Sequence, residues 1–406
     1  MIKLKDIIVI GGGASGMLAA IKAKENNPQK SVAILEKQSR IGRKLLSTGN
    51  GRCNLVNTEI TKEAFHGSFK KYLDTTLTLC PASRVIDEFE NLGLLVNEES
   101  EGRVYPISNH ASSVLDVLRF RLSSLGVEIF TDEAVKELKK NKKSFTVTTD
   151  KNRFECEKLI IATGSCASPG LGSDKSGVSA VERLGIKTIP FSPALCPIKV
   201  NSEYLARLKG VRASCKVTLI DGGRRVKEET GEIQFTENAL SGICVFNLSS
   251  PLKNAQKPGI SIDLAVNYSF IELYNILQKN KKLFSNRTAE DLLTGIFNKK
   301  LATVLIKASG IKPLSKRIGS LTENELKRLA NLIKDFRFKP EINNDFKNAQ
   351  VAAGGVSADE LDPNTMESLR IKNLYVTGEA VDIDGNCGGY NLWFAFASGI
   401  IAGDSV

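Results

Sequence analysis

The apolar pattern of the chain opens with Asp6-Ile7-Ile8-Val9-Ile10, a short run with the length of a buried parallel strand. Gly11-Gly12-Gly13-Ala14-Ser15-Gly16 follows at once, and Met17 to Asn26 then reads as a helix rich in Ala, Leu and Ile. A second apolar run, Val32-Ala33-Ile34-Leu35, ends at Glu36. Helical periodicity returns over Ser83 to Leu92 and over Ala111 to Leu125, which begins after His110; Gly102-Arg103-Val104-Tyr105-Pro106 lies between them as a turn-rich insertion. Val127 to Phe130 and Ser144 to Thr149 predict strands, with Lys139 to Lys143 as a solvated hairpin tip. Leu159-Ile160-Ile161 predicts a buried strand that closes on the small residues Ala162-Thr163-Gly164.

From about Phe191 the texture changes. Ser192 to Pro197 reads as a linker, and Cys215 to Ile220, Asp221-Gly222-Gly223 and Val226 to Glu228 as a hairpin. Further strands are expected near Ile233 and Ile262. Thr288 to Asp291 and Thr322 to Glu325 have the spacing of helix-starting capping boxes. Leu326, Leu329, Ile333 and Phe336 fall on one face of the second helix. The end of the chain resumes the first pattern: strand Leu374-Tyr375-Val376, then Thr377-Gly378-Glu379, Asp382, Gly388-Gly389-Tyr390-Asn391 and an apolar helix from Leu392 to Ala402. The expected organisation is a first domain over 1–190 completed by 346–406, a β insert over 191–275 and a basic helical insert over 276–345.

The 406 residues, 42% of them hydrophobic, are enough for two or three domains with a large core. No apolar run is long enough to cross a bilayer, and the N-terminal run is too short for a signal peptide, so a cytoplasmic protein is expected. Eight cysteines without C-x-x-C spacing, and only two histidines, His66 and His110, argue against a zinc site or a local redox disulfide. The net charge of +11 is uneven: from Ile276 to Lys347 sixteen Lys/Arg face seven Asp/Glu, a net of 16 − 7 = +9. A solvated face and a polyanion site fit this block comparably. Lys316, Arg317, Lys327, Arg328, Lys334 and Arg337 are the candidate phosphate contacts; Phe336 and Phe338 are the only aromatics among them.

Gly11, Gly13 and Gly16 form G-x-G-x-x-G between a strand and a helix, with an acid, Glu36, ending the next strand. Gly11 allows the tight turn, Gly13 lets a pyrophosphate approach the backbone, and Gly16 lets helix and strand pack. The helix N-terminus holds phosphate charge, and Glu36 accepts from ribose hydroxyls. An ordinary structural glycine turn is the alternative. Gly42-Arg43-Lys44 through Gly49, Arg52, Cys53 and Asn54 suit a loop wrapped on an anionic cofactor. Gly378-Glu379 offers a carboxylate to ribityl hydroxyls, and the last helix can aim its N-terminus at a flavin ring.

These motifs resemble the bacterial HI0933-like (YhiN/BaiN-type) FAD-dependent oxidoreductases over nearly the whole chain. Its specific marks here are Gly42 to Asn54, Gly102 to Pro106, Thr365 to Ser368, and Gly378-Glu379 with Gly388 to Asn391. Ser165, where the family commonly has glycine, and the loose turn Gly172 to Gly177 depart from its pattern. The resemblance implies an α/β protein: a Rossmann-like FAD-binding domain of the two-dinucleotide-binding flavoprotein type, interrupted by a β-barrel-like domain and a small helical domain. Ala162-Thr163-Gly164, a strand end of small residues that lets a loop approach a bound nucleotide, joins Ala14, Ser15, Lys37 and Val135 among the candidate FAD contacts, and the resemblance implies NAD(P)H as a transient co-substrate. Family activities range over dihydrouridine synthesis in ribosomal RNA, reduction of unsaturated steroid-like acids, and aminoacetone oxidation. With the basic insert, the first expectation is reduction of uridine in 23S ribosomal RNA. The alternatives are a small-molecule reductase or oxidase and a non-catalytic flavin-bearing RNA-binding factor. Candidate proton donors are Cys53, whose pKa Arg52 would lower, Tyr105 and Tyr390.

Overall fold

In the computed structural model, which describes residues 2–342 and 344–406, the apolar strands of both chain ends lie in one sheet. The parallel strands run in the order Glu128–Phe130, Val32–Leu35, Ile2–Ile10, Arg153–Ile161 and Leu374–Val376. The order reverses between Ile2–Ile10 and Arg153–Ile161, so the carboxyl ends of these two strands open the crevice where such sheets bind ligands. Ile7, Ile8 and Val9 are fully buried in the middle of this parallel sheet, against which helix Ala14–Asn26 packs. The first strand starts at Ile2, earlier than its apolar run suggests. Its outer half pairs in register with Arg153–Cys156 and leaves Leu4 71% exposed. A hairpin of Val135–Lys140 and Phe145–Thr149 joins the outer half of Arg153–Ile161, while Leu374–Val376 joins the inner half.

The chain divides into two compact units, one built from the residues up to Ala194 with Asp345–Val406, the other from Leu195–Asn344. Two segments of the first unit differ from the sequence expectation. Arg103–Pro106 is not a turn but the middle strand of a three-stranded sheet with Val56–Asn57 and Val96–Glu98. Val104 and Pro106 are buried while Arg103 and Tyr105 face the other way, a period of two hidden by the flanking glycine. The first half of the expected linker is strand: Thr188–Ala194 pairs with Val351–Val356, and a bulge between Ile189 and Ser192 accommodates Pro190.

In the second unit a closed barrel runs Ile198–Asn201, Ala239–Ser241, Arg224–Phe235, Arg212–Asp221, Pro258–Asp263 and Phe336–Pro340. Pro258–Asp263 pairs with Phe336–Pro340, so the barrel closes across the helical segment and both share one core. Phe336 and Phe338 therefore belong to a strand, alternating inward with the exposed Arg337 and Lys339, rather than to a basic helix. Thr322 forms the expected capping box with Glu325. Thr288 has the same spacing but starts only a 3-10 turn, because its neighbourhood is drawn into a β-bridge to Arg317 and Ala289 N–H donates to Lys316 O. Among the described residues no helix is long and apolar enough to cross a membrane.

Candidate dinucleotide site

At the carboxyl end of Ile2–Ile10 the three motif glycines have three different surroundings. Gly11 has φ +106°, and a Cβ there would lie 2.4 Å from Ala162 O. A Cβ on Gly16 would lie 2.0 Å from Gly11 O, so this residue sets the contact between helix Ala14–Asn26 and the turn. A Cβ on Gly13 would meet nothing within 4 Å. Close packing requires Gly11 and Gly16, whereas Gly13 borders open space at the helix N-terminus, where Ala14 and Ser15 present unpaired amides to an anion. Glu36 is fixed beside them: Oε2 accepts from Gly12 N–H at 2.9 Å and Oε1 from Gln38 N–H at 2.8 Å. Glu36, Val135 and Thr163 line one cavity over Gly11.

The last helix, Tyr390–Ser405, reaches the same place. A Cβ on Gly399 would lie 2.4 Å from Ser15 O, and one on Gly403 would lie 2.6 Å from Ala19 O, so the first and last helices touch backbone to backbone. Ser15 Oγ donates to Thr377 Oγ1 at 2.6 Å, and Gly378 N–H donates to Ser398 Oγ at 2.9 Å. Both strand-end turns are thereby locked together. The Ser15 hydroxyl is consumed in that lock, which leaves its backbone N–H as the group open to a phosphate.

Glu379 follows at once. Lys44 Nζ holds its Oε2 at 2.6 Å, while Oε1 is buried without a partner. Gly164 has φ +69°, and a Cβ built there would stand 3.9 Å from Glu379 Oε2. Thr163 Oγ1 and Asn54 Oδ1 are likewise buried and unpartnered, and a Cβ on Gly389 would stand 2.9 Å from Asn54 Oδ1. Buried polar atoms rarely stay unsatisfied. Three of them, spread from beside the first turn to the start of the last helix, fit a long ligand with hydroxyl and N–H donors along its length. FAD has that form.

Other expected contacts take different roles. Lys37 is not a free cation; it pairs with Asp174 at 2.6 Å at the cavity wall. Gly42, φ +77°, packs on Leu115, and Arg43 donates to Gln38. Asp382 accepts from Ser68 N–H and Gly354 N–H, one on each oxygen, at 2.7 and 2.9 Å, which ties the loop after Gly378 to two distant segments. Asn391 also turns inward, accepting from Gly385 N–H and donating to Gly385 O and Asn386 O. Its task is to hold the loop ahead of Gly388. Asn57, which the motif reading missed, does the same from the other side by donating to Gly388 O at 2.9 Å. No local pattern marks it, because its partner is 331 positions away. Asp174 and Gly177 were likewise missed as site residues. Gly177 is legible only afterwards: its missing side chain makes room for Thr163.

Of the candidate proton donors, Cys53 is fully buried, and burial pushes its thiol up to about 12. Arg52 does not activate it. The guanidinium is clamped by Glu99 and Asn109 and lies over the Tyr105 ring, 4.0 Å from its centroid. Tyr105 is half-buried, with its phenol pushed up by burial, and Tyr390 packs edge-on to Phe65 at 5.8 Å. His110 is an exposed N-cap, and His66 pairs across strands with Asp384.

Burial also raises Cys80 and Cys156 from 9.0 to about 12. In the unfolded chain these thiols ionise near 9.0, so between that value and about 12 the native state binds more protons. Their stabilising contribution is complete below the lower pH and lost as pH rises through the higher. We expect denaturant-measured stability to fall through this window, and Cys53→Ala to flatten the fall by up to about one proton.

The six cations expected to hold phosphate are largely engaged by the chain itself. Lys316 pairs with Glu325 at 2.6 Å, Lys334 with Asp263 at 2.7 Å, and Arg337 with Asp335 at 2.8 Å. Arg317 donates to Asn286 O and Arg328 to Ser309 O, while Lys327 stands over the Tyr274 ring. The charge excess exists, but these members of it are not a bare phosphate cradle.

A parallel sheet with its crossover glycine turn, a second strand-end carboxylate and a closing helix defines an FAD-dependent oxidoreductase. More narrowly, the chain belongs to the HI0933-like family, whose Rossmann-domain model matches residues 5–405. It is 37% identical to a 3-dehydro-bile acid delta(4,6)-reductase of Clostridium scindens over 98% of both chains. It is 27% identical to a ribosomal RNA dihydrouridine synthase of Escherichia coli over 97% of this chain and 96% of that one. A quinol-fumarate reductase structure shares the fold, with a TM-score of 0.52 at 14% identity, over 99% of this chain and 70% of that one.

Proposed function

We propose that this enzyme reduces a carbon–carbon double bond conjugated to a carbonyl in a small, largely apolar ring compound, with NAD(P)H as electron source. The observation that carries this reading is the 37% identity, spread over 98% of both chains, with a relative whose name describes such a reduction. Reduction of uridine in 23S ribosomal RNA is the second reading, supported by relatives at 26% and 27% identity. It shares the chemistry, because the uracil double bond is also conjugated to a carbonyl, but it needs free phosphate contacts. Five of the six cations proposed for that role are bonded to carboxylates or carbonyls of the chain.

Bound FAD would supply the hydride for either substrate. The chain's own tasks are binding and proton supply. The amides before Gly16 would hold the pyrophosphate, and the free Glu379 Oε1 and Thr163 Oγ1 would meet donors along the cofactor. The N-terminal end of Tyr390–Ser405 would offer positive potential to its ring. Tyr105, kept protonated by burial, is our candidate to deliver the proton to the second carbon. Tyr105→Phe is then expected to slow the oxidative half-reaction about a hundredfold while leaving flavin reduction within about threefold. Equal slowing of both halves would remove Tyr105 from this role.

The functional test is anaerobic. Holoprotein reduced with dithionite is mixed with a 4,6-dien-3-one steroid or with deproteinised ribosomal RNA, and flavin reoxidation is followed by absorbance. Rapid reoxidation by the steroid alone supports the proposal. Reoxidation by RNA alone, with dihydrouridine formed, replaces it with the second reading.

A further inference from the structure

Cys215 and Cys244 are 29 positions apart in sequence, in no recognisable motif, yet the barrel strands and the helix packed on them bring the two together. Cys215 lies on strand Arg212–Asp221 directly opposite Gly231 of Arg224–Phe235. Gly231 leaves its side-chain position empty, and helix Ile243–Leu252 fills it: a Cβ built on Gly231 would stand 3.3 Å from Cys244 Cβ and 3.7 Å from Cys244 Sγ. Directly opposed residues on an antiparallel pair have Cβ atoms about 4.5–5.5 Å apart. Cys244 therefore occupies the side-chain space that faces Cys215 across the strand pair, the placement a disulfide, with its Cβ atoms roughly 3.5–4.5 Å apart, requires. Both sulfurs are almost fully buried, at 0% and 2% exposure.

The two thiols are not equivalent. Cys244 is the second residue of its helix, after Gly242 at φ +111°. Its Sγ donates to Glu232 O at 3.5 Å; the neighbouring Cys215 thiol draws its pKa down, the amides of Cys244 and Val245 act in the same direction, and burial with Glu229 opposes them. Cys215 is pushed up, first by the neighbouring Cys244 thiol and then by burial. A helix-start thiol with a lowered pKa beside a second thiol is the arrangement of an attacking and a resolving cysteine.

We propose that Cys215 and Cys244 form a peroxide-oxidised, reversible disulfide in the barrel unit, with Cys244 as the attacking sulfur. The Cys244 thiolate attacks one oxygen of hydrogen peroxide, the O–O bond breaks, and hydroxide leaves to be protonated to water. The resulting sulfenic acid on Cys244 is attacked by Cys215 sulfur; the S–O bond breaks and a second water leaves with the Cys215 proton. Two thiols lose two electrons in all, and one peroxide becomes two waters. A small oxidant suits sulfurs this deeply buried, and the bridge would tie the helix to the barrel strand.

The test treats the holoprotein with hydrogen peroxide, alkylates it under denaturing conditions without reductant, and maps its peptides. The expected result is loss of two of the eight alkylatable cysteines, one cross-linked peptide joining Cys215 to Cys244, and recovery of both with dithiothreitol. In Cys215→Ser the link should vanish and dimedone should trap sulfenic acid on Cys244. Absence of the link in the wild-type map, or bridging between other cysteines instead, overturns the proposal. That map decides the matter even if Cys215→Ser does not fold.

Discussion

Gly13→Val is expected to fold with wild-type stability and to purify without FAD, its affinity reduced more than about a thousandfold. Gly16→Ala is expected to do the opposite first, losing about 3 kcal/mol of stability before any question of cofactor arises. The difference lies in what a side chain meets. At Gly13 a Cβ has no neighbour within 4 Å in the protein, so its only collision is with whatever occupies the turn. At Gly16 it would stand 2.0 Å from Gly11 O, a backbone atom held by the strand and unable to swing aside. Thermal denaturation of the apo forms, followed by titration with FAD and flavin fluorescence, separates the two effects. Full FAD binding by Gly13→Val would mean that the space at the helix N-terminus is not where the pyrophosphate lies.

The two chain ends were legible because their chemistry is local. Strand, glycine turn, helix and terminal acid follow one another within Asp6 to Glu36, and each step depends on neighbours a few positions away. What stayed hidden depends on distant pairing. Nothing near Asp382 in the sequence shows that its two oxygens accept from Ser68 and Gly354. The +9 excess of the helical segment could be counted, but not that Lys334 would be neutralised by Asp263, 71 positions earlier and outside the block. Thr288 and Thr322 carry the same capping pattern, and only tertiary pairing decides which one starts a full helix. The same limit hid Cys215 and Cys244. Spacing reveals a dithiol when the turn between the cysteines is short, not when a barrel strand and a helix bring them together.

The second large effect is expected at Glu379. Glu379→Ala should weaken FAD binding several hundredfold, while Glu379→Gln should cost only about tenfold. On this expectation the carboxylate does two things at once: Oε2 anchors Lys44 at 2.6 Å, and Oε1, buried and unpartnered, would accept from the cofactor. Gln keeps an oxygen acceptor in place and loses mainly the ion pair, which at 29% and 16% side-chain exposure is only partly shielded from solvent. Ala removes the acceptor as well and leaves the Lys44 ammonium beside a partly buried void. Lys44→Met provides the complementary control, removing the cation and leaving the carboxylate in place, with an expected loss between those of the two Glu379 variants. Equilibrium dialysis of apoprotein with FAD measures all three. If Glu379→Ala and Glu379→Gln lose affinity equally, the ion pair rather than the free oxygen governs binding, and the vacant lone pair of Oε1 is not a cofactor contact.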